Sequence, residues 1–224
     1  MDTNLPPPER PAPLSALEAR VLGCLIEKEL ATPDAYPLTL NALVNACNQR
    51  SNRDPVLDVG ADEVAAALER LRGRQLAAVF AGAEARGPKF KQKLDAVYPV
   101  TTAARAVLGE LLLRGPQTLA GLRANSERLH PMPLDFEALL AELAERPAGA
   151  LVRPLPRQPG QKETRWAQLL TGEPAAASAG GAAAPLAATF ALPPDAERRL
   201  AALEAEVARL RAELARLRGA LGEG

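Results

Sequence analysis

The stretch TLNALVNACNQRSNRDPVLDVGADEVAAALERLRG, from Thr39 to Gly73, decides the fold. Leu40, Leu43, Val44 and Cys47 recur at three and four, which predicts a helix over Thr39 to Asn48. A polar loop runs from Asn48 to Asp58. Val64, Leu68 and Leu71 then predict a second helix, opening near Ala61 or Asp62 and stopped by Gly73. Ahead of this pair, Leu17, Val21, Leu22, Leu25 and Ile26 mark an amphipathic helix from Ser15 to Leu30. Ser15 and Glu18 form its capping box, and Thr32-Pro33-Asp34 ends it. Behind the pair, Gln75 to Ala81 reads as a strand, Gly82 to Pro88 as a turn and Phe90 to Val97 as the returning strand. Three helices followed by a hairpin is the order of a winged helix-turn-helix.

The order then repeats. Helices are predicted over Thr102 to Leu113, Thr118 to Leu129 and Asp135 to Glu145. Strands over Leu151 to Leu155 and Glu163 to Leu169 flank a turn at Pro156 to Gly160. The repeat is one of elements, with a period of roughly 80 residues. The expected fold class is therefore mainly α with small β-hairpins (α+β). Two tandem winged-helix domains, 14–99 and 100–171, follow a disordered N-terminal segment, 1–13. Residues 172–194 are rich in Ala, Gly and Pro and read as a flexible linker spanning on the order of 25 Å.

The tail, 195–221, carries a heptad seam. Leu200, Val207, Leu214 and Leu221 stand at a, and Leu203, Leu210 and Leu217 at d. In a parallel homodimer Arg199 faces Glu204, Glu206 faces Arg211 and Glu213 faces Arg218, and all three pairs attract. The alternative is a helix that lays the same seam on the protein's own domains.

Composition narrows the function classes. Hydrophobic residues make up 47% of the 224 and aromatics 3%, a balance that suits small helical domains. No apolar run is long enough to cross a bilayer, and the Pro-rich start lacks a secretory pattern, so a cytoplasmic protein with no membrane partner is expected. Formal net charge is zero, which argues against broad, non-specific nucleic-acid binding but leaves room for a local basic patch. Cys24 and Cys47 lie on apolar helix faces and read as small buried hydrophobes rather than as a disulfide or metal pair. His130 has no nucleophile or acid at a recognisable spacing. With no phosphate-cradling loop and no metal-ligand spacing, a non-enzymatic protein without catalytic residues, metal or cofactor is expected.

The candidate nucleic-acid-binding residues gather in the first domain. Asn48, Gln49, Arg50, Asn52 and Arg53 join the two helices, and their side chains suit base edges and phosphates. Arg70, Arg72 and Arg74 close the third helix. Arg86, Lys89, Lys91 and Lys93 make the hairpin basic, four cations against Glu84 alone. The same helix opens on Asp62 and Glu63, where a recognition helix usually meets bases, so an ordinary solvated hairpin stays open. In the second domain the third helix is acidic through Asp135, Glu137, Glu142 and Glu145, and only the hairpin is basic, through Arg153, Arg157, Lys162 and Arg165.

Leu17-Glu18-Ala19-Arg20-Val21, Glu27-Lys28, Tyr36-Pro37-Leu38, Ala46-Cys47-Asn48-Gln49 and Asn52-Arg53-Asp54-Pro55-Val56 closely resemble the YceH family of uncharacterised bacterial proteins. Leu111 to Thr118, Gly121-Leu122-Arg123 and Arg157-Gln158-Pro159-Gly160 are similar to the same family, so the resemblance covers about Leu14 to Gly172. It implies two winged-helix domains and brings no established activity. Gly60-Ala61 and Gly87-Pro88 depart from the pattern, which weakens the third helix's cap and stiffens the hairpin turn. The expected function is a dimeric DNA-binding or transcription-regulatory protein contacting double-stranded DNA through the first domain and its hairpin. The alternative is an adaptor that binds a protein partner, its valency set by the coiled coil.

Overall fold

The computed structural model describes residues 12–80, 87–157, 163–174 and 209. The heptad positions Leu200, Leu203, Val207, Leu210, Leu214, Leu217 and Leu221, the linker beyond 174 and Arg86 lie outside the described residues. The described chain is mixed α/β with small antiparallel sheets. Among these residues no helix is long and apolar enough to cross a membrane.

One element order occurs twice. The first module runs α1 (Ala16–Ala31), β1 (Leu38–Thr39), α2 (Leu40–Cys47), α3 (Ala61–Gly73), β2 (Ala77–Phe80) and β3 (Lys89–Gln92). After a short α4 (Leu94–Val97), the second runs α5 (Thr102–Arg114), β4 (Gln117–Thr118), α6 (Leu119–Glu127), α7 (Phe136–Ala144), β5 (Val152–Pro154) and β6 (Arg165–Gln168). Hydroxyl caps open the helices in both. Ser15 accepts from the Glu18 N–H at 3.2 Å and Thr101 from that of Ala104 at 3.2 Å. Thr39 and Thr118, each preceded by an extended residue after a proline and followed by leucine, cap α2 and α6 in the same way. Helix α3 has Gly60 at this position, and the Glu63 carboxylate replaces half of a capping box by accepting the Gly60 N–H at 2.8 Å.

Each module carries a three-stranded sheet, in the orders β1-β3-β2 and β4-β6-β5. The two-residue strands β1 and β4 have no hydrophobic alternation to announce them, and their second residues, Thr39 and Thr118, stand where the sequence predicts helix starts. The expected strand Phe90 to Val97 stops early. Lys93 donates its N–H to Leu76 O at 2.8 Å, the Gln92 side chain accepts the Leu94 N–H at 2.7 Å, and the chain turns into α4. Leu94 is then buried while Asp95 and Ala96 are exposed, a one-turn helical pattern rather than an alternating one.

The two modules share one core within a single compact unit. Helix α1 is buried all round from Glu18 to Glu27, and α5 from Ala106 to Leu113. A helix without a polar face needs partners on every side. Each finds its own module on one side and the other central helix on the other. The two backbones approach at glycines. A Cβ on Gly109 would stand 2.8 Å from Ile26 Cγ2, and one on Gly23 would stand 2.9 Å from the Leu113 side chain. Buried Ile26, Leu112 and Leu113 lie at the contact, each contributing about 1.5–3 kcal/mol from burial.

Candidate functional site

Polar residues expected at a binding surface lie at the junction of the modules. Arg53 is buried, and all five of its guanidinium N–H groups find acceptors. Its Nη1 and Nη2 donate to Glu27 Oε1 and Oε2 at 3.2 and 2.5 Å, a two-point pair with α1. Nε donates to Ala46 O at 3.0 Å, Nη1 to Asn52 O at 2.8 Å and Nη2 to Gln49 Oε1 at 2.9 Å. Asn48 locks the loop by pairing both amide atoms with the Val59 backbone at 2.9 Å. Asn52 accepts from Arg114 of α5 at 3.2 Å, and the Asp54 N–H donates to Leu113 O at 2.9 Å. Asn48, Gln49, Asn52 and Arg53 are therefore committed within the fold.

The second module completes this seam. Arg128, which follows α6, donates to Glu27 Oε1 at 2.9 Å and also pairs with Glu110 of α5. Arg114 reaches Asn125 at 3.1 Å, and Asn125 donates to Gln117 at 2.6 Å. Burial alone would raise Glu27, but the hydrogen bonds and charges of Arg53 and Arg128 hold its carboxyl below the ordinary value. For Glu110 burial wins over Arg128 and pushes its carboxyl up. Its second oxygen has no hydrogen-bond partner among the described residues. Cys24 and Cys47 are buried free thiols beside the seam, and Arg20 reaches Cys47 O at 3.0 Å. Donating its hydrogen bond to Cys24, together with burial, pushes the Cys47 thiol up. Among the described residues no group of three or more His, Cys, Asp or Glu side chains is placed to hold a metal.

The arginines of α3 are also engaged. Arg70 pairs with Glu18 at 3.0 Å and Arg72 with Glu69 at 2.5 Å. Arg74 donates to Pro13 O at 3.2 Å and to Ala12 O, holding the N-terminal segment. Arg50 is exposed and has no carboxylate partner among the described residues.

The lysines of β3 are differently placed. Phe90 and Gln92 point into the core, so alternation puts Lys89 and Lys91 on the opposite face of the sheet, and Lys93 follows where the strand turns into α4. Lys89 stands across from Thr39 and Phe80, and Lys91 across from Ala78. Lys91 Nζ lies 5.9 Å from the centre of the Phe80 ring, within reach of a cation–π contact. None of the three lysines is ion-paired among the described residues. The exposed face of α7 is the converse. Glu137, Glu142 and Glu145 are exposed without an ion pair among the described residues, and Asp135 caps the helix by accepting the Ala138 N–H at 2.9 Å.

Comparison with known proteins gives a consistent result. A family model described as "Protein of unknown function, DUF480" matches residues 14–161. A UPF0502 protein of Geobacter sulfurreducens is 49% identical over 196 residues, covering 87% of this chain and 88% of that protein. A UPF0502 protein of Geotalea daltonii is 53% identical over 167 residues, covering 74% and 76%. One from Cupriavidus metallidurans is 49% identical over 170 residues, covering 75% and 69%. The resemblance to an uncharacterised bacterial family holds over both modules, and the chain belongs to the DUF480 family.

Proposed function

We propose that the protein is a non-enzymatic tandem winged-helix protein that binds double-stranded DNA through the hairpin side of its first module. Two copies are joined by the C-terminal heptad helix. The observation that carries the reading is the face of β3, where Lys89 and Lys91 lie beside Phe80 and Lys93 follows the strand, all three without carboxylate partners among the described residues. Unpaired lysines release counterions when they meet phosphates. The exposed side of α3 is unsuited to reading bases, because Asp62, Glu63 and Glu69 stand there and Arg70 and Arg72 are paired. Backbone contact with little sequence preference is the expected mode.

The test is a titration of the full chain into labelled duplex DNA across salt, beside a variant with Lys89, Lys91 and Lys93 changed to Ala. Three phosphate contacts predict a slope of log affinity on log salt that is shallower by about 3 in the variant. No binding by the unmodified chain at low salt overturns the proposal. The adaptor reading has the acidic face of α7 in its favour, since phosphate repels it and a cationic protein surface does not.

A further inference from the structure

Two faces of one compact unit carry charge of opposite sign without ion pairs among the described residues, the lysine face of β3 and the carboxylate face of α7. The large exposed hydrophobic side chains among the described residues are Val56, Val79, Phe80 and Leu134. Two of these stand in the two charged faces. Phe80 lies on β2 across from Lys89, whereas Val79 lies across from Phe90 on the other side of the sheet. Leu134 is 96% exposed, immediately before Asp135 at the start of α7. It forms one wall of a shallow groove lined by Leu119, Ala120, Arg123 and Phe136.

We propose that the lysine face of one copy docks on the α7 face of a second copy, with Phe80 entering the groove beside Leu134. Lys89 and Lys91 then meet Glu137 and its neighbours. Charge complementarity identifies the occupant, because both halves of the contact are present on this chain and neither is ion-paired among the described residues. Packing of α1 on α5 and the Arg53–Glu27–Arg128–Glu110 seam fix one module against the other, and among the described residues no ion pair links the two faces within one molecule. Zero net charge removes the long-range repulsion that otherwise keeps copies apart. In a two-fold pair the contact forms twice, each copy giving one face and receiving the other. This contact uses the lysines assigned above to DNA, so phosphate and carboxylate compete for them, but the contact itself does not depend on DNA binding.

The experiment mixes two differently tagged full-length chains, one carrying Phe80→Cys and the other Leu134→Cys, and adds a short bifunctional maleimide. Native Cys24 and Cys47 are 0% exposed and stay unreactive. A cross-linked pair bearing both tags is expected. Adding Lys89→Glu and Lys91→Glu to the first chain is expected to lower its yield about tenfold. Adding Glu137→Lys and Glu142→Lys to the second chain is expected to restore it. Absence of the pair between chains without charge changes overturns the proposal, and so does a yield indifferent to the charge reversal. The charge swap restores the contact between copies and leaves DNA binding impaired, so the failure of one reading is distinguishable from the failure of the other.

Discussion

Arg53 and Lys91 belong to one module and to two stretches that look equally suited to phosphate, yet they live in opposite conditions. Arg53 is sealed between α1 and the loop after α2, with every N–H taken by a carboxylate, an amide or a carbonyl. Lys91 lies over an aromatic ring on a sheet face, with no carboxylate partner among the described residues. Residue type does not separate them. What separates them is whether the fold supplies an anion first. Glu27 does so for Arg53, from 26 residues earlier in the chain. A cation already matched by a buried anion is part of the framework, and only the unmatched one has attraction left for a partner.

The largest expected effect comes from removing the matched cation. Arg53→Ala leaves Glu27 buried with Arg128 and the more distant Lys28 beside it and should destabilise the fold by about 3–5 kcal/mol, read as a fall in the midpoint of chemical denaturation. If Arg53→Ala unfolds at the same denaturant concentration as the unmodified chain, the seam is not structural. Next comes a contrast between the two carboxylates. Glu27→Gln should cost about 2–3 kcal/mol at neutral pH, whereas Glu110→Gln should cost less than about 1 kcal/mol, because Glu110 is strained by burial when ionised.

The pH dependence of the two has opposite sign. Glu27 has a depressed folded pKa, so its contribution is present above the unfolded carboxylate value of about 4.3 and is lost as pH falls through the lower folded value. Glu110 has a raised folded pKa, so its contribution is present below the unfolded value and is lost as pH rises through the raised one. Denaturation midpoints of Glu110→Gln across pH 4 to pH 7 should therefore lack the alkaline-side loss that the unmodified chain shows.

Gly109→Ala tests the same junction without touching charge. Ile26 must move to admit the new Cβ, and the expected cost is about 1–2 kcal/mol after the gain in helix propensity. The smallest effect on stability belongs to the unmatched cations. Changing Lys89, Lys91 and Lys93 together to Ala should shift stability by no more than about 0.5 kcal/mol per site, while DNA affinity falls as set out above. A large loss of stability instead makes these lysines framework too, and the contrast with Arg53 collapses.

Much of the element order is legible in local pattern. The helix stripes, the Ser15 and Glu18 box and the basic hairpin all announce themselves within a few residues. The role of the loop after α2 does not, because a buried ion pair has no local signature: Arg53, Glu27, Arg128 and Glu110 are far apart in sequence. A signal was present in α1. Arg20, Cys24 and Glu27 share one side of a helix that is otherwise apolar from Val21 to Ile26, and a helix without a polar face must bury the charges it has. Strands β1 and β4 escaped because two residues are too few to show a period of two.

Burial of α1 on every side has a consequence for synthesis. A chain made from its N-terminus completes the elements of the first module while one flank of α1 still lacks its cover, since α5 begins only at Thr102. Ile26 and the glycine seam at Gly23 then face solvent or a chaperone until translation has carried α5 clear of the ribosome. The first module therefore reaches its final form late, at the moment its successor begins to fold.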